Sequence, residues 1–238
     1  MIIVMLSCEN IKDCENSLIQ ILSISIEKLH EIKKEIRNCH QDAISLKIKS
    51  ILSKYDLDTK KSIPVCFYHF TKTLNPDLFS SGLKSLPHVM DSIVDEISSL
   101  YGVHSKSEIM AILYDRILLA SRLRLSNYNA GPYGFFIKEH GFIDDTCSHQ
   151  YLNGSEFVAD LLVALGYDER LYLSASKSLI IKFKVDNLTI DKLMYYVSEA
   201  LMYITFGDDL EKLKLMCSSH DNFGLQINPR DILKIEVL

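Results

Sequence analysis

The chain has 238 residues, 47% of them apolar, and 26 basic against 31 acidic side chains give a formal net charge of -5. That is enough apolar chain for a sizeable core, and the missing basic surplus excludes a protein that tracks a phosphate backbone by charge, so no DNA binding is expected. Six cysteines without a Cys-x-x-Cys pair read as reduced thiols in a cytoplasmic protein. Met1 to Leu6 lacks a basic leader and runs into charged residues, and no window approaches the roughly 20 apolar residues of a spanning helix, so no membrane segment is expected.

From Asn16 to Tyr55, Leu22, Ile26, Leu29, Ile32 or Ile36, then Ile44, Leu46, Ile51 and Leu52 recur at helical spacing, with Lys28, Glu31, Lys33, Lys34 and Glu35 opposite. The spacing predicts two amphipathic helices broken near Asn38 to Gln41, which either pad the core or form an arm for a partner or for self-association. The polar run Leu57 to Ser62 ahead of Pro64 marks a boundary, giving a helical arm over 1–60 and an α+β domain over 61–238. Pro64 to Thr71, rich in aromatic and β-branched residues, predicts a buried strand. Asn75 and Pro76 offer a cap and a first helical position, with Gly82 as a stop. A helix is expected from about Pro87 to Leu100, and a capping box of Ser105 and Glu108 opens another through Leu119 to Leu123. A tight turn at Gly131 to Gly134 precedes an apolar strand, and Phe157 to Leu165 reads as a helix stopped by Gly166. Leu179 to Val185 alternates as a strand, Asp191 to Tyr203 is a further helix, and Phe223 to Ile227 with Ile232 to Val237 read as two closing strands.

Candidate chemistry centres on Tyr68 to Thr71. Alternation puts His69 and Thr71 on one face and Tyr68 and Phe70 on the other, so a ligand can meet an imidazole and a hydroxyl together. A hydrogen-bonded core histidine is the competing reading. Cys147, His149 and His140 do not complete a metal set at familiar spacing. His220, Asp221 and Asn222 could suggest a nuclease-like pair, but they sit in a polar loop where turn residues are expected anyway. No Walker loop, Gly-x-Gly-x-x-Gly, Gly-x-Ser-x-Gly or His-Glu-x-x-His occurs. Gly131 and Gly134 free the backbone around Tyr133 to approach something flat, and an exposed tyrosine there offers a stacking face.

In order, Phe67-Tyr68-His69-Phe70-Thr71, Gly82-Leu83, Gly131-Pro132-Tyr133-Gly134 and Asn153-Gly154-Ser155-Glu156 resemble the ADP-ribosyltransferase-like superfamily. The resemblance is to small bacterial members with a Tyr-His-x-Thr first strand, several of them toxins or phage-defence effectors, and it covers roughly residues 61 to 238. It implies a split β-sheet core with surrounding helices, and NAD as the substrate that donates ADP-ribose to a macromolecule or is cleaved. Carried over, His69 with Thr71 holds a ribose, Tyr133 stacks on nicotinamide, and Glu156 is the catalytic carboxylate. Asp221 is the alternative carboxylate, because the superfamily's glutamate lies on a late strand while Glu156 opens a helix. Breaking the bond from nicotinamide to ribose builds positive charge on the sugar, which a carboxylate stabilises. Two other readings stand beside this one: a non-catalytic interaction protein of the same fold using the N-terminal helices, and an RNA-acting enzyme with His69 as acid or base.

Overall fold

The computed structural model describes residues 4–57, 63–115, 131–143, 155–214, 216 and 218–238. These residues form an α+β protein. Its strands are β1 (Val65–Thr73), β2 (Tyr133–Phe135), β3 (Lys177–Val185), β4 (Ser219–Asp221) and β5 (Ile232–Val237), hydrogen-bonded in the order β4, β2, β1, β3, β5. The helices are α1 (Ile11–Leu22), α2 (Ile26–Arg37), α3 (Ile44–Leu52), α4 (Leu86–Tyr101), α5 (Lys106–Asp115), α6 (Glu156–Leu165), α7 (Glu169–Ala175), α8 (Ile190–Phe206) and α9 (Leu210–Lys214). The chain divides into two compact units, each assembled from three stretches of sequence.

The first unit comprises Met1–Tyr68, Phe135–Cys147 and Lys184–Ser219. The N-terminal helices number three rather than two. Ser23 takes a left-handed conformation (φ 56°) and Ser25 accepts from the Lys28 amide at 3.2 Å, so this short serine-bearing stretch both ends α1 and caps α2. All three helices pack on α8. Their apolar faces, with Leu18 and Ile21 on α1, Leu29 and Ile36 on α2, and Ile48 and Ile51 on α3, are buried. They do not stand apart as an arm over 1–60, because the helix that covers them lies far along the chain. Arg37 ties α2 to the end of α8 through a bond from its Nε to the Thr205 carbonyl at 2.9 Å. Phe67 packs between Phe136 (ring centroids 6.2 Å apart) and Tyr196 of α8 (5.1 Å). Tyr68 is fully buried, its hydroxyl 3.1 Å from Ser7 Oγ. Cys8, Cys14 and Cys66 are buried and in no disulfide among the described residues.

The second unit comprises His69–Gly134, Ser148–Phe183 and His220–Leu238. Its helical core gathers Val94 and Ile97 of α4, Ile109 and Leu113 of α5, Phe157 and Leu161 of α6, and Tyr172 of α7. The capping box forms, with the Ser105 amide donating to Glu108 at 2.7 Å; the expected continuation to Leu119 and beyond lies outside the described residues. Gly166 ends α6 at φ 69°. The closing segment departs from expectation. Phe223 to Ile227 contributes only a single bridge from Ile227 to Leu83, and the strand is instead Ser219–Asp221, whose three residues are too few to show alternation.

Candidate functional site

The residues singled out by sequence fall on three neighbouring strands and one helix start. Tyr68 of β1 lies opposite Phe135 of β2 in an antiparallel pair, so the next pair along is His69 with Gly134, and then Phe70 with Tyr133. On the other side of β2, the Phe136 amide donates to the Ser218 carbonyl at 3.0 Å and the Asn222 amide to the Pro132 carbonyl at 3.2 Å. Both bonds fit one antiparallel register, which sets His220 opposite Gly134 and Asp221 opposite Tyr133. Directly opposite residues share a sheet face. His69, Gly134 and His220 therefore form one row, and Thr71, Pro132 and Asn222 the next row on the same face. Tyr133 and Asp221 belong to the other face.

That row has a particular shape. Two imidazoles stand about 10 Å apart, two strand spacings, and Gly134, the buried residue between them, puts no side chain in the row. His69 is half-buried and His220 buried. His69 Nδ1 lies 2.7 Å from the Tyr133 carbonyl. A carbonyl only accepts, so Nδ1 carries the proton and Nε2 presents a lone pair. Among the described residues Nε2 has no partner. Burial lowers the His69 pKa below its ordinary 6.5, outweighing the carbonyl that favours the charged ring. The imidazole is thus neutral near pH 7, oriented by the backbone, and able to accept from a ligand hydroxyl.

Thr71 lies two residues on from His69, about 7 Å away along the strand, and is buried. Further along the same face, Thr73 Oγ1 and the Leu74 amide donate to the Glu96 carboxylate, each at 3.2 Å. Burial raises the Glu96 pKa above 4.5, while those donors pull it down. Glu96 is a carboxylate at this end of β1 that sequence reading passed over.

Tyr133 is exposed, but its ring does not look toward His69. Gly131 has φ +67°, and a Cβ built there would sit 3.1 Å from Tyr133 Cδ2, so the ring folds back over the glycine. The flat group this turn admits is the tyrosine's own ring. What Tyr133 gives the His69 face is its carbonyl. Asp221 Oδ1 accepts from the Phe223 amide at 2.8 Å, closing a turn whose Gly224 amide reaches the Gly131 carbonyl at 2.8 Å. Glu156 is the first residue of α6, behind the Ser155 cap, rather than a sheet residue; Asn153 and Gly154 lie outside the described residues.

The sequence reading missed Gly134 and His220 as partners of His69. The only signal was the His-Asp-Asn run itself, and its place in the sheet emerges only from pairing with a distant strand. Cys147 and His149 lie outside the described residues; among those described, no three metal-ligating side chains converge, and no helix is long and apolar enough to cross a membrane. No family model, no curated protein and no solved structure matches the chain.

Proposed function

We propose that this chain is an NAD-binding protein of the ADP-ribosyltransferase type, transferring ADP-ribose to a macromolecule or cleaving NAD, with the face bearing His69 and Thr71 as its ribose-binding surface. The observation that carries this reading is the 2.7 Å bond from His69 Nδ1 to the Tyr133 carbonyl, which fixes a neutral ring with Nε2 as acceptor. A ribose diol donates to such a nitrogen, and the Thr71 hydroxyl two residues along the same face can bond a second polar group of the same ligand. The resemblance puts the carboxylate that stabilises charge on the ribose at Glu156 or Asp221; Asp221 Oδ1 is engaged by the Phe223 amide on the opposite face. Tyr133 serves this site through its carbonyl and not as a stacking platform beside His69.

The row of His69, Gly134 and His220 favours a second reading. Two imidazoles in one row of a sheet face can act as acid and base in cleavage of RNA. The net charge of -5 counts against it, since no surplus of cations draws in a polyanion.

Calorimetric titration with NAD and an assay of nicotinamide release in cell extract test the first reading. Binding is expected, weakened about tenfold by His69→Ala, the effect of losing one hydrogen bond in a partly buried site. Absence of both binding and nicotinamide release sinks it. Cleavage of total RNA without NAD, lost in both His69→Ala and His220→Ala, establishes the second instead.

A further inference from the structure

β5 ends the strand order, and among the described residues no strand lies beyond it. Its inner side pairs antiparallel with β3, with Ile180 opposite Glu236, Ile181 opposite Ile235 and Lys182 opposite Lys234. The Leu238 amide donates to the Ser178 carbonyl at 3.0 Å. Backbone groups alternate in direction along a strand. Glu236 and Lys234 therefore turn theirs toward β3, while Ile235 and Val237 turn theirs outward.

The side chains of this edge divide just as cleanly. On the face of Leu179 and Ile181, both fully buried, the row runs out to Ile235 at 37% exposure and Val237 at 57%. Leu233, at 40%, stands at the bulge between the Lys182 and Phe183 pairings, where the regular edge ends. The other face carries Lys234 and Glu236, 2.9 Å apart within the strand, with Lys234 set opposite the like-charged Lys182. Natural sheet edges are usually blunted by inward charges, prolines or repeated bulges. This one is apolar on one face from Ile235 outward.

We propose that the β5 edge is a self-association surface, and that its occupant is β5 of a second copy of this chain, antiparallel about a two-fold axis at Ile235. The sequence of β5 is complementary to itself in that register. Ile235 faces Ile235 of the copy, and because their backbone groups point outward the two exchange both N–H···O bonds. Leu233 faces Val237, extending the apolar row across the axis. Lys234 faces Glu236 and Glu236 faces Lys234, so the four charges alternate in sign. A one-residue slip sets Lys234 opposite Ile235 and Glu236 opposite Leu233, charged against apolar, so the pattern selects this pairing. The contact is short, below the ~1,200 Å² of standard interfaces, and gives a weak dimer with micromolar dissociation.

Sedimentation velocity of the full chain from micromolar to millimolar concentration tests this. A monomer-dimer equilibrium is expected. Ile235→Pro removes an amide that points away from β3, so it should leave the fold intact and abolish the dimer. Lys234→Glu breaks the surface ion pair with Glu236 within the strand, worth little to the fold, and puts Glu against Glu236 across the axis, so the fold holds while association weakens at least about tenfold. Glu236→Lys should also weaken it, and the double swap Lys234→Glu with Glu236→Lys should restore it. A chain that stays monomeric throughout, a dimer indifferent to Ile235→Pro and to both single charge changes, or a double swap that fails to restore association overturns the proposal.

Discussion

Glu199, on α8, is half-buried and has no hydrogen-bond or ion-pair partner among the described residues. Burial alone pushes its pKa from 4.5 up to about 7. An acid whose pKa is raised in the folded state binds its proton more tightly there than in the unfolded chain. Ionising it therefore costs stability. No cost is present well below pH 4.5; it grows as pH rises between 4.5 and about 7 and is constant above. A rise from 4.5 to about 7 corresponds to at most about 3 kcal/mol. Part of the side chain stays in water and is screened, so the expected cost is about 1–2 kcal/mol. Glu199→Gln is uncharged at every pH and nearly isosteric, so the difference between variant and parent isolates this one group. Urea denaturation should show Glu199→Gln equal to the parent near pH 4.5 and more stable by about 1–2 kcal/mol at pH 8. A difference that is flat across this range, or that favours the parent at high pH, refutes the reasoning, since it means that the carboxylate has a partner or is well hydrated.

Two further outcomes follow from the geometry. Phe67→Ala empties a fully buried ring site between Phe136 and Tyr196 and should cost about 3–5 kcal/mol in chemical denaturation; a loss under about 1 kcal/mol means that the aromatic cluster does not support β1. Nitrogen-detected NMR of His69 should show the proton on Nδ1 at pH 7 and a titration midpoint below 6.5, and a midpoint above that value contradicts the assigned burial.

Much of the local structure was legible because it depends on neighbours in sequence. The Ser105 and Glu108 capping box, the Gly166 stop and the helical stripe of α8 are each set within a few residues. The break at Ser23 to Ser25 escaped notice because the apolar spacing carries across it, and only the left-handed Ser23 reveals it. The site was legible in part for the same reason. The shared face of His69 and Thr71 follows from alternation along one strand. The row with Gly134 and His220 depends on strands about 65 and 150 residues further on, and no spacing in the chain encodes that register. Tyr133 illustrates the limit from the other side: the glycine turn was read as an approach to a flat ligand, while the ring it meets in the fold is the tyrosine's own.

The assembly of each unit from three separated stretches bears on how the chain is made. α1 to α3 leave the ribosome early, with apolar faces shaped for α8, which begins only at Ile190. At ~5–20 residues per second, that partner arrives on the order of ten seconds later. During this interval the nascent helices have only one another to pack on, so their apolar faces stay open to chaperones and to aggregation. A messenger truncated ahead of Ile190 yields a sticky polypeptide instead of a smaller working domain.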